Sequence, residues 1–433
     1  MRIHWKQDHG LADGDIALRA RSLVPRVRSI QRVIDVHDYQ ASEASVLLPH
    51  ADSTAVHDVA RRYRTDQLRL IVVIGIGGSN LGTKAVYDAL VGYQAGAVSH
   101  TPYIVFVDSI DPAILDHHIR TLIPTLSHTE EVLLISVSKS GGTTETIANT
   151  EILLAAYARA FGPMDGRLIV ITDDGSPYWQ AAEQRGITTV AIPAMVGGRY
   201  SVLSPVGLVP LSLAGIAINE LRAGAQDILP YCLHEDWEHN PAIQSATITA
   251  LSYEAGLTSS DTFLFHTELE SLGKWYRQLL GESIGKAEKV NGTPQSTGIT
   301  PTVSIGSTDL HSVGQLYLGG PVDRLTTFVY ATPALEHAVP VERMFPDIVH
   351  MINGKTTTDI MSAIRVGTQR AYAKANRPFI TVELAAITPY ELGAFMQWKM
   401  LEIIYLGTLL GVNPFDQPSV ESYKTETKRI LET

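Results

Sequence analysis

Leu70-Ile71-Val72-Val73-Ile74-Gly75-Ile76-Gly77-Gly78-Ser79-Asn80-Leu81-Gly82 is the stretch from which this 433-residue chain is best read. An apolar β-rich run ends in a glycine cluster, and a segment of helical periodicity follows. Five consecutive apolar residues in a strand must be covered on both faces, which marks a parallel sheet flanked by helices. Glycine at the strand's end lets the backbone approach a ligand, and the next helix turns free N–H groups toward an anion. The dinucleotide fingerprint G-x-G-x-x-G fails, because its sixth position is Asn80. The spacing from Gly77 to Gly82 fits a P-loop, but Thr83-Lys84 follow in the wrong order for G-K-[ST]. A nucleotide is therefore disfavoured. A smaller anion and a plain tight turn both remain open.

The same grammar recurs at Val132–Val137, which runs into Ser138-Lys139-Ser140-Gly141-Gly142-Thr143-Thr144-Glu145-Thr146. Five hydroxyls and two glycines in nine residues suit a phosphate monoester, whose terminal oxygens accept from hydroxyl and backbone donors. An ordinary Ser/Thr turn with a helix cap is the alternative. Two such loops after two strands favour one shared anion site.

Outward from these loops the α/β rhythm continues. Tyr103–Val107, Leu168–Thr172 and Thr188–Ile192 complete a first set of strands, spaced widely enough for crossover helices. The pattern is interrupted near Ala225–Asn240 and then restarts. Thr262–Phe265, Thr302–Ile305, Thr326–Tyr330 and Phe379–Glu383 read as strands of a second unit. Ala287–Thr300 reads as an extended polar loop. Thr388-Pro389-Tyr390-Glu391 predicts a helix start with a capping box, opening a helix with one buried stripe through Leu392, Phe395, Met396, Met400, Ile403 and Ile404. Tyr200–Asn219 carries no formal charge, but Pro205 and Pro210 make it a buried helix and not a membrane span. Thr425–Thr433 reads as a short surface helix.

Composition narrows the function. Hydrophobic residues make up 45% and charged residues 18%, so the chain can build sizeable cores and is not disordered. With 34 basic against 45 acidic residues the net charge is −11, which excludes a general nucleic-acid binder. Cys232 is the only cysteine, and Met1–Gly10 has no apolar run of the signal-peptide kind, so a cytoplasmic protein is expected.

With both loops read, the sequence resembles the phosphoglucose isomerase family. The matching motifs are Gly75–Gly82, Ser138–Thr146, Val196–Ser201, Gly281–Lys286, Asp309–Gln315 and Phe415–Lys424, in the family's order. The resemblance implies two sugar isomerase (SIS) domains, each a mainly parallel sheet between helix layers. Their spans are 46–225 and 226–412, with an N-terminal segment 1–45 and a C-terminal segment 413–433. It also implies a homodimer that interconverts glucose 6-phosphate and fructose 6-phosphate through a cis-enediolate, in glycolysis and gluconeogenesis, without a cofactor. Carried over by position, Ser138, Ser140 and Thr143 would hold the phosphate, with Gly78, Ser79, Lys139 and Thr146 beside them. Glu282 would be the base moving a proton between C2 and C1, and Arg199 would stabilise the enediolate. His311 and Lys424 would open the sugar ring, and Gln417 would contact substrate hydroxyls. Gly141-Gly142 and Ser419 depart from the family pattern.

The chemistry asks for this inventory. A single carboxylate can move the proton, a fixed cation can stabilise the oxyanion, and a held phosphate can orient the reacting carbons. Alternatives stay open at each residue: Glu282 could be a surface partner of Lys286 at i, i+4, and His311 and Lys424 plain surface residues. A bifunctional isomerase that also accepts mannose 6-phosphate and a non-catalytic sugar-phosphate sensor are the competing functions. No DNA-binding module accompanies the domains, which weighs against the sensor. His117-His118 and the set His266, Glu268, Glu270, read as one face of a strand, match no zinc signature, so no metal is expected.

Overall fold

In the computed structural model, residues 1–5, 10–92 and 102–433 are described; Lys6–His9, part of the N-terminal reading, lie outside them. A short strand β1 (Arg2–His4) precedes the first set, β2 (Leu70–Ile74), β3 (Tyr103–Val107), β4 (Val132–Val137), β5 (Leu168–Asp173) and β6 (Thr188–Ile192). These five form a parallel sheet in the order β3-β2-β4-β5-β6. Alternate residues of its strands feed different cores: Ile71, Val73, Leu133 and Ile135 face one cluster, Leu70, Val72, Val132 and Leu134 another. The unbroken apolar runs are thus explained by burial on both faces.

The second sheet contains β7 (Ser259–Leu264), β10 (Thr300–Ile305), β11 (Arg324–Ala331) and β12 (Phe379–Leu384), in the order β1-β12-β11-β7-β10. All pair in parallel except β1, which joins β12 antiparallel, so the N-terminal segment reaches into the second sheet. The stretch read as an extended loop instead contains a hairpin, β8 (Lys286–Glu288) with β9 (Pro294–Thr297). Its polar composition hid the strands because most of it is exposed and packs against no core.

Helices cover both sheets. They include α1 (Leu81–Val91), α2 (Thr144–Phe161), α3 (Pro205–Leu213), α4 (Ile218–Cys232), α5 (Pro241–Glu254), α6 (Glu270–Ile284), α7 (Thr357–Lys374), α8 (Pro389–Leu410) and α9 (Glu421–Leu431). Helix α3 is the buried element expected from the uncharged stretch; Ser204 caps it, and it is only nine residues long. No helix among the described residues is long and apolar enough to cross a membrane. Helix α4 runs through Ala225 without a break.

Helix α8 differs from expectation twice. Thr388 does cap it, accepting from the Glu391 N–H at 3.2 Å, but the Glu391 carboxylate does not close the box. It accepts instead from the Ala385 N–H and the Met1 amino group. Nor is there one buried stripe: every residue from Glu391 to Gly407 is buried, because α8 lies among α4, α5 and α6. Glycines make the crossing with α4 possible. A Cβ on Gly224 would lie 1.8 Å from the Tyr390 carbonyl oxygen, and one on Gly393 1.8 Å from that of Leu221.

Candidate active site

Arg199 is the centre of the site. It lies in a single turn, Gly198–Tyr200, that packs on the Gly77–Ser79 turn after β2. The contact is backbone on backbone: a Cβ at Gly78 would sit 2.2 Å from the Gly198 carbonyl carbon, so only glycine fits. Gly78 therefore positions Arg199, which its reading as a ligand-facing residue did not foresee.

The buried Arg199 guanidinium uses every donor it has. Nε donates to Ser283 Oγ at 2.8 Å, and Nη1 to Gln417 Oε1 at 2.6 Å and Glu282 Oε2 at 3.3 Å. Nη2 donates to the carbonyls of Pro414 at 2.8 Å and Asp416 at 3.0 Å. Five N–H groups have five acceptors. Glu282 ends α6, and its side chain remains 32% exposed. Its second oxygen accepts from Gln278 Nε2 at 3.2 Å, one turn earlier. The carboxylate is thus gripped on both oxygens yet open to a ligand, the condition for a base of fixed aim.

Lys286 does not pair with the Glu282 carboxylate. Its Nζ donates to the backbone carbonyls of Glu282 at 2.8 Å and Asp416 at 2.7 Å, and pairs with the Asp416 carboxylate at 3.2 Å. Burial lowers the affinity of this amine for its proton. Gln278, Ser283, Lys286 and the Pro414–Asp416 carbonyls went unassigned in the sequence. The signal for two of them is helical spacing, since Gln278 and Lys286 stand four residues either side of Glu282.

The hydroxyl loop lies next door. β2 and β4 are neighbours, and a Cβ on Gly75 would meet the Val137 carbonyl at 3.1 Å, so the two strand-end loops share one crevice. Gly77 in turn packs on Gln278. Within the loop, Ser138 Oγ and Thr143 Oγ1 are 2.9 Å apart, and the N–H groups of Thr143 and Gly142 reach Ser138 Oγ and Ser140 Oγ at 3.4 Å. Thr146 Oγ1 is buried with no hydrogen-bond partner among the described residues. Helix α2 starts here, which adds its positive end. Ser79 is half-buried in the first loop, and Lys139 donates to the Ala194 carbonyl, with burial lowering its basicity. Gly141 holds a φ of +68°, which accounts for glycine there. Ser419 sits in the turn Pro418–Val420 and is not among the positive-φ residues, so that turn does not require glycine.

His311 stands apart from Glu282, and Lys424 is engaged locally on the last helix. Helix α6 runs antiparallel to β10: Gly273 faces Val303, and Gly281 faces Pro301. Gly281 thus sets Glu282 beside Pro301 near the start of β10, whereas His311 follows the far end at Ile305, about 13 Å along the strand at 3.3 Å per residue. The exposed His311 side chain makes no hydrogen bond or ion pair among the described residues. Lys424, on α9, pairs with Glu421 at 2.7 Å. In the two sets weighed for a metal, His118 is buried against the Tyr157 hydroxyl at 2.7 Å. His266, in the bend after β7, pairs with Glu268 of the following turn at 3.6 Å, and Glu270 opens α6, so the three do not form one strand face. No group of three or more metal-ligating side chains occurs among the described residues.

Two mainly parallel sheets flanked by helices, with hydroxyl-rich and glycine-rich loops at the strand ends and a clamped carboxylate beside them, define the phosphosugar-isomerase class of α/β proteins. A tagatose-6-phosphate ketose/aldose isomerase from Escherichia coli shares the fold, with a TM-score of 0.52 at 12% identity over 86% of this chain and 94% of that one. The phosphoglucose isomerase family model matches residues 15–433, and the chain belongs to that family. A glucose-6-phosphate isomerase from Carboxydothermus hydrogenoformans is 34% identical over 89% of this chain and 83% of that protein. Another, from Thermus thermophilus, is 33% identical over 88% of each. Among solved structures, a hypothetical protein from Thermus thermophilus superposes with a TM-score of 0.86 at 29% identity, covering 100% of both chains.

Proposed function

We infer that this chain interconverts glucose 6-phosphate and fructose 6-phosphate, with Glu282 as the base that carries the proton between C2 and C1. The observation that carries the reading is the Glu282 carboxylate, partly exposed and gripped by Arg199 and Gln278 beside the two strand-end loops. The hydroxyl loop, Ser138, Ser140, Thr143 and Thr146, with Ser79 and Lys139 nearby, takes the phosphate and orients the open-chain sugar. Glu282 then removes the C2 proton, and the electron pair moves into the enediolate. Arg199 acts as a fixed cation at this stage: its N–H groups serve protein acceptors, so its contribution is field more than a new hydrogen bond. A proton passes from O2 to O1 of the enediolate, and return of the carbon-bound proton to C1 completes the aldose–ketose exchange. His311 and Lys424 serve ring opening, Gln417 meets the substrate hydroxyls, and the reaction belongs in the cytoplasm.

The working form is a homodimer. His311 lies a strand's length from Glu282 of its own chain, so a second copy is the natural source of the histidine. The segment Leu335–Met351 supplies an apolar contact surface, with Val341 99% and Met344 86% exposed. It is not loose: Arg343 gathers it by donating to the carbonyls of Pro346, Ile348 and Val349 and to Asn353.

Glu282→Gln tests the base. The variant is expected to bind fructose 6-phosphate but neither isomerise glucose 6-phosphate nor exchange its C2 proton with deuterated water. Exchange near the parent rate removes Glu282 from the role.

A further inference from the structure

The site is delivered by two helices, and these meet through one buried polar knot. Tyr276 Oη on α6 donates to Glu402 Oε1 on α8 at 2.6 Å. Lys399 Nζ donates to both oxygens of Glu402, at 2.8 and 3.1 Å, and lies 4.4 Å from the Tyr276 ring centroid and 4.1 Å from that of Trp398. The Lys399 and Glu402 side chains are 2% and 1% exposed. Burial lowers the Lys399 amine and, with the Glu402 charge, raises the Tyr276 hydroxyl.

A buried ion pair is a poor source of stability, since apolar residues of like volume often do as well or better. Its attested use is to fix register, as polar groups do in apolar helix seams. The setting here fits that use. Helix α8 is apolar over most of its surface, and such an interface lets one helix slide along another at little cost. Among the described residues, the Tyr276–Glu402 bond is the one side-chain hydrogen bond between α6 and α8.

Both helices run directly into the site. Beyond Tyr276, α6 carries Gln278, Glu282 and Ser283. Beyond Glu402, α8 ends at Gly411, and the chain folds back so that Pro414 packs on Gly407, where a Cβ would be 3.1 Å away. The next residues are Asp416 and Gln417, which Arg199 holds. A slide of α6 on α8 therefore moves Glu282 against the Arg199–Gln417 clamp.

We propose that Tyr276, Glu402 and Lys399 are positioning residues for the isomerisation, fixing the axial register of α6 on α8 and thereby the aim of Glu282. The proposal rests on Glu282 being the base. Displacement of a reacting group by about 1 Å costs on the order of 100-fold, so tenths of an ångström are expected to cost roughly ten-fold in kcat.

The test uses the full chain, assayed well below its Tm. Tyr276→Phe keeps the ring and leaves the Lys399–Glu402 pair intact; kcat is expected to fall about ten-fold with KM for fructose 6-phosphate within about two-fold. The paired change Lys399→Met with Glu402→Leu removes both charges together; Tm is expected at or above the parent value while kcat falls as in the single variant. Parental kcat in Tyr276→Phe overturns the proposal, and that variant decides alone if the double variant does not fold. Glu282→Gln, measured in parallel, separates the two readings. If it still exchanges the C2 proton, the base assignment fails; if it is inactive while Tyr276→Phe is parental, only the register proposal fails.

Discussion

Arg199 joins three segments of chain through one guanidinium: the turn that carries it, the end of α6, and the Pro414–Gln417 stretch with its two carbonyls and the Gln417 side chain. Only a planar fork with five donors can do this, so Arg199→Lys leaves buried acceptors unpaired and is no conservative change. Gln278 matters for a related reason, as the second holder of Glu282. We expect Gln278→Ala to lower kcat/KM on the order of ten-fold, read by steady-state kinetics, because the freed carboxylate samples more orientations. The family motifs carried Arg199, Glu282 and Gln417 into the sequence reading by position. They said nothing of Gln278, which lies just before the Gly281–Lys286 motif, and they left Lys286 looking like a surface partner because burial cannot be read from spacing. Buried His118 supplies a separate pH-linked effect. Burial lowers its pKa from 6.5 to about 4, so the folded chain holds it neutral. Its contribution is full above pH 6.5 and is lost progressively as pH falls toward about 4, up to roughly 3 kcal/mol. Denaturant melts of His118→Gln across that window should show a flatter acid limb than the parent.

The elements that declared themselves in sequence are those whose burial is uniform. Strands β2 through β6 are compact apolar runs between glycines, and their limits agree with the reading within a residue. Helix α8 was misjudged because an all-round buried helix and an amphipathic one look alike over the positions they share; only its neighbours α4, α5 and α6 reveal the difference. Strand β1 was missed since three residues have no periodicity to read. Glycine substitutions separate packing from propensity at this scale. Gly393→Ala drives a Cβ into the Leu221 carbonyl and should destabilise by about 3 kcal/mol or prevent folding. Gly367→Ala, on the exposed side of α7 with nothing within 4 Å, should stabilise by about 0.5–1 kcal/mol. Urea titrations of the two variants should move in opposite directions.

For the whole molecule, dimer formation can be tested at the apolar arm. Charging it with Met344→Asp and Phe345→Asp should shift sedimentation from a two-chain to a one-chain mass and reduce activity with it. Mixing inactive Glu282→Gln and His311→Ala chains should restore part of the activity, and no recovery would count against a shared site. The long-range bonds of Arg199 bear also on how the enzyme is made. Its Gln417 partner stands 218 residues downstream, a delay of roughly 10 to 45 s at ordinary rates of synthesis. Through that interval the guanidinium has no Pro414, Asp416 or Gln417 to receive its protons, and Glu282 has emerged for only part of it. A nascent chain can assemble its first sheet early, but it cannot carry a working site. Prematurely terminated products lack the acceptors at Pro414, Asp416 and Gln417 and are expected to be catalytically silent.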